Sequence, residues 1–86
     1  MGKRLFVGSL PYETTEAQVS EAFAAVAPVQ HVKLILDKAT GKTKGFGFVE
    51  METPAGAALA IDKLHRSPFG GRKLIVAPAR PLSGGA

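Results

Sequence analysis

The sequence predicts an α+β fold in which a four-stranded antiparallel sheet carries two helices on one face. Four short apolar or β-branched segments are typical of strands, and two further segments have apolar residues at helical spacing. These elements follow one another in the order β-α-β-β-α-β. This is the order of the ferredoxin-like sandwich, in which right-handed crossovers place both helices on the same side of the sheet. The other side is then left uncovered.

The first half of the chain is expected to form a strand, a helix and a second strand. Residues 4–8 are a short apolar run, which predicts the first strand. The apolar face of the helix is expected to consist of Val19, Ala22, Phe23 and Val26. Thr14 or Thr15 is the expected N-cap, and Pro28 is expected to end the helix. The β-branched segment VQHVKLILD, residues 29–37, predicts the second strand.

The second half repeats this pattern. DKATG is a turn in which Gly41 can adopt a positive φ, and KGFGFVEM, residues 44–51, is the third strand. Thr53 is expected to cap the second helix. The buried stripe of that helix is expected to consist of Ala57, Ala58, Ile61 and Leu64. After the loop RSPFGG, the segment RKLIVAP, residues 72–78, predicts the last strand.

Composition excludes several classes of function. The chain has 45% hydrophobic residues, as is typical of a globular domain, and no cysteine, which excludes disulfides and thiolate metal sites. We find no apolar run long enough to cross a membrane and no signal peptide, so we expect a cytoplasmic protein without membrane contact. The net charge of +4 gives a positive field, which attracts anionic ligands.

The length of 86 residues leaves room for one domain. We expect this domain to span residues 1–80, and residues 81–86 to form a short flexible tail. We also expect the chain to act as a monomer and to need no cofactor or metal ion.

The third strand has apolar side chains on both faces, although alternation should separate an apolar face from a polar one. Gly45, Gly47, Val49 and Met51 share one face, and Lys44, Phe46, Phe48 and Glu50 share the other. Burying Lys44 and Glu50 without partners would be costly, so their face is expected to be the open one. The two glycines are expected to let a helix pack close to the covered face.

The same division extends to the other strands. The residues expected to face the helices are Leu5, Val7, Val32, Leu34, Leu36, Leu74 and Val76. The open face then carries Phe6, Phe46, Phe48 and Ile75, with the basic residues Arg4, Lys33, Lys44 and Lys73 around them. Flat rings stack on bases and cations meet phosphates, so this face predicts a nucleic-acid site. The alternative is that a dimer partner, the tail or a further helix covers the rings.

Two segments resemble the signatures of the RNA recognition motif (RRM) family. KGFGFVEM agrees at all but its last position with the longer signature, Lys/Arg-Gly-Phe/Tyr-Gly/Ala-Phe-Val-x-Phe/Tyr. LFVGSL, residues 5–10, resembles the shorter signature, and the similarity extends over about residues 3–80. Within the family, the chain is most similar to the small single-RRM RNA-binding proteins of bacteria.

The resemblance implies roles for several residues of the open face. Phe6 and Phe48 would stack under neighbouring bases, and Phe46 would lie against the sugars between them. Lys44 would pair with a phosphate. Further contacts are implied for Lys33, Lys73, Ile75 and the segment from Ala77 to Arg80. Glu50 either accepts a hydrogen bond from an exocyclic amino group or pairs with a neighbouring cation.

Three positions depart from the family pattern. Met51 replaces the usual aromatic residue, but it faces inward and affects only the core. Ser9 stands where asparagine is usual, which affects how the first loop is held. Ala27 stands where glycine is usual, and it would cost about 1 kcal/mol if the backbone there is left-handed.

The leading hypothesis is a non-catalytic module that binds single-stranded RNA, or single-stranded DNA, over about two to four nucleotides. Its role would be post-transcriptional regulation or chaperoning of RNA. A second hypothesis is a protein-interaction domain that uses its helices. Against it, the exposed helix residues offer no apolar anchor, namely Gln18, Glu21, Asp62 and Lys63. An enzyme on the same scaffold would need a convergent pair of catalytic groups, which we do not find.

Residues outside the open face give few indications of function. Tyr12 is expected to be a packed loop residue. His31 and His65 lack the further ligands that a metal site needs. The lysines of the segment DKATGKTK form either a solvated turn or a mobile basic finger that closes over a bound strand.

Overall fold

Four antiparallel strands and two helices make up the main body of the computed structural model, which describes residues 2–79. In chain order, the elements are β1 (Arg4–Gly8), α1 (Glu16–Ala24), β2 (Val29–Leu36), β3 (Thr43–Met51), α2 (Pro54–Leu64), β4 (Pro68–Phe69), β5 (Arg72–Lys73) and β6 (Ile75–Pro78). The main sheet has the order β2-β3-β1-β6, and β4 and β5 form a separate two-stranded sheet. The predicted ferredoxin-like fold is confirmed. Arg80 and the predicted tail, residues 81–86, lie outside the described residues.

One face of the main sheet supplies most of the core. The buried residues of β1, β3 and β6 include the predicted Leu5, Val7, Val49, Met51 and Val76. From α1, Val19 and Phe23 are buried, and Phe23 has no exposed surface. Burying a side chain of this size contributes about 1.5–3 kcal/mol relative to leaving it in water. Because side chains alternate along a strand, the residues between these core positions are turned to the other face.

α1 begins at a capping box. The N–H of Gln18 donates to Thr15 Oγ1 (3.2 Å), and the N–H of Thr15 donates to Gln18 Oε1 (3.0 Å). Of the two candidate threonines, Thr15 is therefore the N-cap. Thr14 is buried instead, and within residues 2–79 its Oγ1 has no hydrogen-bond partner.

α2 packs through its smallest residues. Gly56, Ala57 and Ala60 are buried, whereas Ala58, which was predicted to be part of the buried stripe, is exposed. A Cβ on Gly56 would lie 3.2 Å from the Cβ of Ala27, so this helix closely approaches the segment that follows α1. The buried stripe is therefore turned toward Gly56, and the prediction for Ala58 was wrong.

The alternation of β2 is interrupted near its end. Leu34 pairs with Gly47, but Leu36 pairs with Thr43, so β3 contains additional residues at this point, as in a β-bulge. Leu34 is buried as predicted. Leu36 was also predicted to face the helices but is 48% exposed, because the irregularity breaks the two-residue period.

Gly45 and Gly47 of β3 were predicted to let a helix pack close to the sheet. This prediction was wrong, because the space beside them is occupied by a loop and by the neighbouring strand. Gly45 has a φ of +100°, in the left-handed region that favours glycine, and lies at the same irregularity. A Cβ on Gly47 would lie 2.6 Å from the carbonyl oxygen of Lys33 and 3.0 Å from Leu34 Cα. Gly47 thus permits the close approach of β2.

Two departures from the family pattern, at Ser9 and at Ala27, concern backbone conformation, and the structure accounts for the one at Ser9. Apart from glycines, a positive φ among the described residues occurs at Ser9 (60°) and Arg66 (69°). Ala27 is outside the left-handed region, so the cost considered for it does not arise. Ser9 adopts this region, which asparagine tolerates better than most residues.

The predicted last strand is divided in two. Arg72 and Lys73 form β5, which pairs with β4, and β6 begins only at Ile75. Between them, the N–H of Leu74 donates to the carbonyl oxygen of Ser67 (2.9 Å). Lys73 therefore belongs to the small sheet and not, as predicted, to the main one, because this segment turns back to pair with the residues that follow α2.

The start of α1 predicts different effects for two adjacent threonines. Thr15→Ala removes the capping box and should lower the free energy of unfolding by about 1 kcal/mol. Thr14→Val replaces a buried hydroxyl that lacks a partner, so stability should stay the same or rise by up to about 1 kcal/mol. Urea unfolding of both variants measures the difference, and equal destabilisation by the two would contradict the assignment of the cap.

Candidate nucleic-acid interface

Three phenylalanines form a cluster on the two central strands of the main sheet, which we call the aromatic platform. Phe6 lies on β1, and Phe46 and Phe48 lie on the neighbouring β3. Phe6 and Phe48 are register partners, and their ring centroids are 6.0 Å apart with an interplanar angle of 70°. The centroids of Phe6 and Phe46 are also 6.0 Å apart, and these rings are more nearly parallel, at 27°.

The platform lies on the face of the sheet that is turned away from the core, as predicted. Phe6 lies between the buried residues Leu5 and Val7, and Phe48 precedes the buried Val49. The three rings are half-buried, however, and do not stand free in solvent as expected. They lie against one another, so each ring covers part of its neighbour while the platform stays accessible to a ligand.

Gly8 allows the Phe6 ring to lie low over β1. A Cβ on Gly8 would be 2.8 Å from Phe6 Cε2 and 3.1 Å from Phe6 Cζ. The ring therefore occupies the space above Gly8, whose register partners on either side are Phe46 and Ile75. The sequence analysis placed Gly8 on the open face without a role. The sequence does contain a signal for this role, namely a glycine two residues after an aromatic residue on the same face of a strand.

The predicted flanking residues surround the platform on both sides. On β2, Lys33 is exposed and is the register partner of Phe48. On β6, Ala77 is the partner of Phe6, and Ile75 is 37% exposed beside Gly8. The platform therefore has a cationic side and an apolar side.

Arg4 and Glu50 are register partners at one end of the platform. They border a small hollow of about 210 Å³, to which Ala79 also contributes. Within residues 2–79, the one ion pair closer than 4.0 Å joins Lys42 and Glu13, so Glu50 does not form a close pair with a neighbouring cation. Arg4 and Glu50 can therefore present a donor and an acceptor to a ligand.

The other end of the platform leads to a hollow of about 300 Å³ that the sequence did not predict. Tyr12, Lys44 and Arg72 line this hollow. Tyr12 was expected to be packed but is 55% exposed, and Lys42 Nζ lies 5.5 Å from its ring centroid. Tyr12 and Arg72 were missed because they lie outside the strands of the main sheet, where alternation gives no information.

The central turn that carries the loop lysines is held by backbone hydrogen bonds. The Gly41 N–H donates to the Asp37 carbonyl oxygen (2.7 Å), and the Asp37 N–H donates to the Lys42 carbonyl oxygen (2.8 Å). Gly41 has a φ of +75°, as predicted for this turn. Lys38, Lys42 and Lys44 are exposed, as both alternatives for this segment require.

A larger groove, of about 530 Å³, lies beside α1, away from the aromatic platform. Its apolar lining comes from Pro11, Ala22 and Phe69, and Gln18 and Glu21 border it. The expectation that the polar helix surface offers no apolar anchor is therefore wrong at this place.

The part of the chain that the structure describes offers no cluster of metal ligands. No group of three or more His, Cys, Asp or Glu side chains in residues 2–79 is placed to hold a metal ion. His65 is engaged in the fold, because the N–H of Val76 donates to its Nδ1 (3.1 Å). Between residues 2 and 79, neither helix has the length and the apolar character needed to cross a membrane.

Comparison with known proteins gives consistent matches. A model of the RNA recognition motif matches residues 5–75. The chain is 40% identical over 77 residues to the putative RNA-binding protein RbpA of Synechocystis, an overlap of 90% of this chain and 76% of that protein. It is 44% identical over 75 residues to cleavage and termination factor 1 of Schizosaccharomyces pombe, which is 87% of this chain but only 21% of that protein.

A solved RRM with bound RNA (GU) has a similar structure, with a TM-score of 0.87 and 30% sequence identity. The match covers 94% of this chain and 86% of that chain.

The close contact above Gly8 predicts that a single methyl group will displace the Phe6 ring. Gly8→Ala should move this ring off β1 and weaken its contact with Phe46, because the added Cβ would lie 2.8 Å from Phe6 Cε2. Nuclear Overhauser contacts between the two rings measure this. Gly2→Ala is the control, because a Cβ there meets only Arg4 N at 3.8 Å. An unchanged Phe6–Phe46 contact in Gly8→Ala would contradict the prediction.

Proposed function

Because the chain belongs to the RNA recognition motif family, we propose that it binds single-stranded RNA across the open face of its four-stranded sheet. The observation that supports this most directly is the aromatic platform on the central strands, Phe6, Phe46 and Phe48. Half-exposed rings in contact with one another offer flat apolar surface that the core does not use, and bases stack on such surface.

The proposed mode of binding is stacking of two adjacent bases on Phe6 and Phe48, with Phe46 against the sugars between them. Each stacked base contributes about 1–3 kcal/mol, as judged by alanine substitution in other proteins. Three rings suffice for about two to four nucleotides. Ile75 and Ala77 extend the apolar surface on the β6 side.

Electrostatic attraction is proposed to come from a few cations around the platform. Lys33 beside Phe48 and Lys44 next to Gly45 would each contact a phosphate. Lys73 would act from the β4–β5 sheet, as a secondary contact. For a single strand, log affinity falls with log salt, and each phosphate contact makes this slope steeper by about 0.7. Because only a few contacts are proposed, the salt dependence should be shallow.

Arg4 and Glu50 are proposed to read base edges at their end of the platform. Glu50 accepts hydrogen bonds, and the absence of a close ion pair within residues 2–79 leaves its oxygens available to an exocyclic amino group. Arg4 donates to base or phosphate oxygens. The structural relative with bound RNA (GU) makes alternating GU the first RNA to test, with DNA of the same sequence for comparison.

The proposed cellular role is post-transcriptional regulation or chaperoning of RNA, without catalysis, by a monomer in the cytoplasm. The similarity to RbpA, a putative RNA-binding protein of which the chain covers 76%, supports a role in RNA binding. The small share of the yeast cleavage and termination factor that it covers leaves the activities of that protein outside the proposal.

The groove beside α1 supports peptide binding as a second candidate function. An aromatic or aliphatic side chain would fit between Pro11, Ala22 and Phe69. A lysine or arginine next to it would pair with Glu21 or Glu13 at the border, so the preferred peptide is basic and apolar. This surface is separate from the aromatic platform.

The RNA proposal predicts a selective loss on removal of a platform ring. Phe48→Ala should weaken binding of a short GU RNA by about 5- to 150-fold, because one base loses its stacking partner. The control is Leu59→Ala, which removes a 41% exposed apolar side chain from α2 on the helix side of the sheet. Titrations followed by amide chemical shifts give both the affinity and the location of binding. If no composition of short RNA shifts the amides of Phe6, Phe46 and Phe48, the proposal is wrong.

The peptide proposal predicts the opposite dependence. Short peptides with one aromatic residue beside a lysine or arginine should shift the amides of Ala22 and Phe69, and Phe48→Ala should leave this binding unchanged. Glu21→Lys should weaken it, because a carboxylate that attracts the basic residue is replaced by a cation that repels it. Affinity that Glu21→Lys leaves unchanged, or shifts confined to the aromatic platform, would eliminate the groove as a peptide site.

A further inference from the structure

The hollow at the Lys44 end of the platform combines an exposed aromatic ring with several cations. We call it the loop pocket and define it by Tyr12, Lys44 and Arg72. A single exposed tyrosine needs no explanation, but here the ring borders a hollow of about 300 Å³. This volume is at the lower end of the range for small-ligand sites, about 300–1,000 Å³, and suits one nucleotide.

The loop pocket begins where the aromatic platform ends. Ser9 lines the pocket and directly follows Gly8, the register partner of Phe46. On β3, Gly45 lines the pocket and directly precedes Phe46. The N–H of Leu10 donates to the carbonyl oxygen of Gly45 (2.9 Å), which joins the two segments into one continuous floor. A strand that leaves the platform past Phe46 therefore passes over this floor.

The charges around the loop pocket favour a phosphate. Lys44 and Arg72 are both exposed and line it from different segments of the chain. Lys42 adds a third cation, with its Nζ 5.5 Å from the Tyr12 ring centroid and 3.6 Å from a carboxylate oxygen of Glu13. Glu13 is largely exposed and neutralises only this one cation, so two cations stay available to an anion.

We infer that the loop pocket binds one further nucleotide of the RNA strand that occupies the platform. Its base stacks on the Tyr12 ring, and its phosphate lies between Lys44 and Arg72. The inference rests on the proposed function of the platform, and it makes Tyr12 and Arg72 RNA-binding residues. It also gives the site a length, because RNAs that extend beyond the platform gain affinity and shorter ones do not.

The test compares a GU trinucleotide with a GU hexanucleotide on the full chain. In the unmodified protein, the hexanucleotide should bind at least about fivefold more tightly, as expected for one additional stacked base. Tyr12→Ala should remove the part of this gain that comes from stacking and leave trinucleotide binding unchanged, whereas Tyr12→Phe should retain the whole gain because the ring remains. A longer RNA also binds in more registers, but this statistical advantage is the same for all variants and cancels in the comparison.

Salt dependence provides a second, independent measurement. For the hexanucleotide, Arg72→Gln should make the fall of log affinity with log salt less steep by about 0.7. The slope for the trinucleotide should stay unchanged. Lys63→Gln is the matched control, because it removes the same charge from the last turn of α2 and should change neither slope.

The outcomes separate the two proposals. If the trinucleotide does not bind the unmodified protein, the proposed function fails and this inference fails with it. If the trinucleotide binds but Tyr12→Ala retains the gain of the hexanucleotide, the loop pocket is not part of the site and the platform proposal stands. Equal slopes for Arg72→Gln and Lys63→Gln with the hexanucleotide would remove Arg72 from the site in the same way.

Discussion

The burial of one face of the sheet against two helices is the constraint on which the rest of the structure depends. Leu5, Val7 and Val49 face the core, and side chains alternate along their strands, so Phe6 and Phe48 are carried to the opposite face. A shift of one residue in the register would bury the rings and expose the core residues. The free energy that fixes the fold therefore also fixes the aromatic platform.

Two glycines, on opposite faces of the sheet, make room for atoms that pack closely against the backbone. Gly47 lets β2 approach β3, since a Cβ there would lie 2.6 Å from the carbonyl oxygen of Lys33. Gly8 gives the Phe6 ring room to lie low over β1. The first glycine acts on strand pairing and the second on the shape of the ligand surface. Both act through atoms they lack, so substitution of either would displace neighbouring atoms although no side chain is removed.

The open face has different chemistry at its two ends. Arg4 and Glu50 place a donor and an acceptor at one end, while Tyr12, Lys44 and Arg72 place a ring and cations at the other. Aromatic rings such as those between them can stack on any base, since every base has a flat face. Preference for a base order would therefore arise at the Arg4 end, and the length of the bound strand would be set at the Tyr12 end.

The sequence alone determined the order of the elements and the face on which Phe46 and Phe48 lie, because alternation and helical spacing are local properties that a few neighbouring residues reveal. Only the tertiary structure decided the exposure of Leu36, the place of Lys73 in the β4–β5 sheet and the position of Tyr12 beside the platform. A register shift, a segment that pairs back on itself and a contact between loops each depend on residues distant in the chain. No periodic pattern along one strand records such contacts.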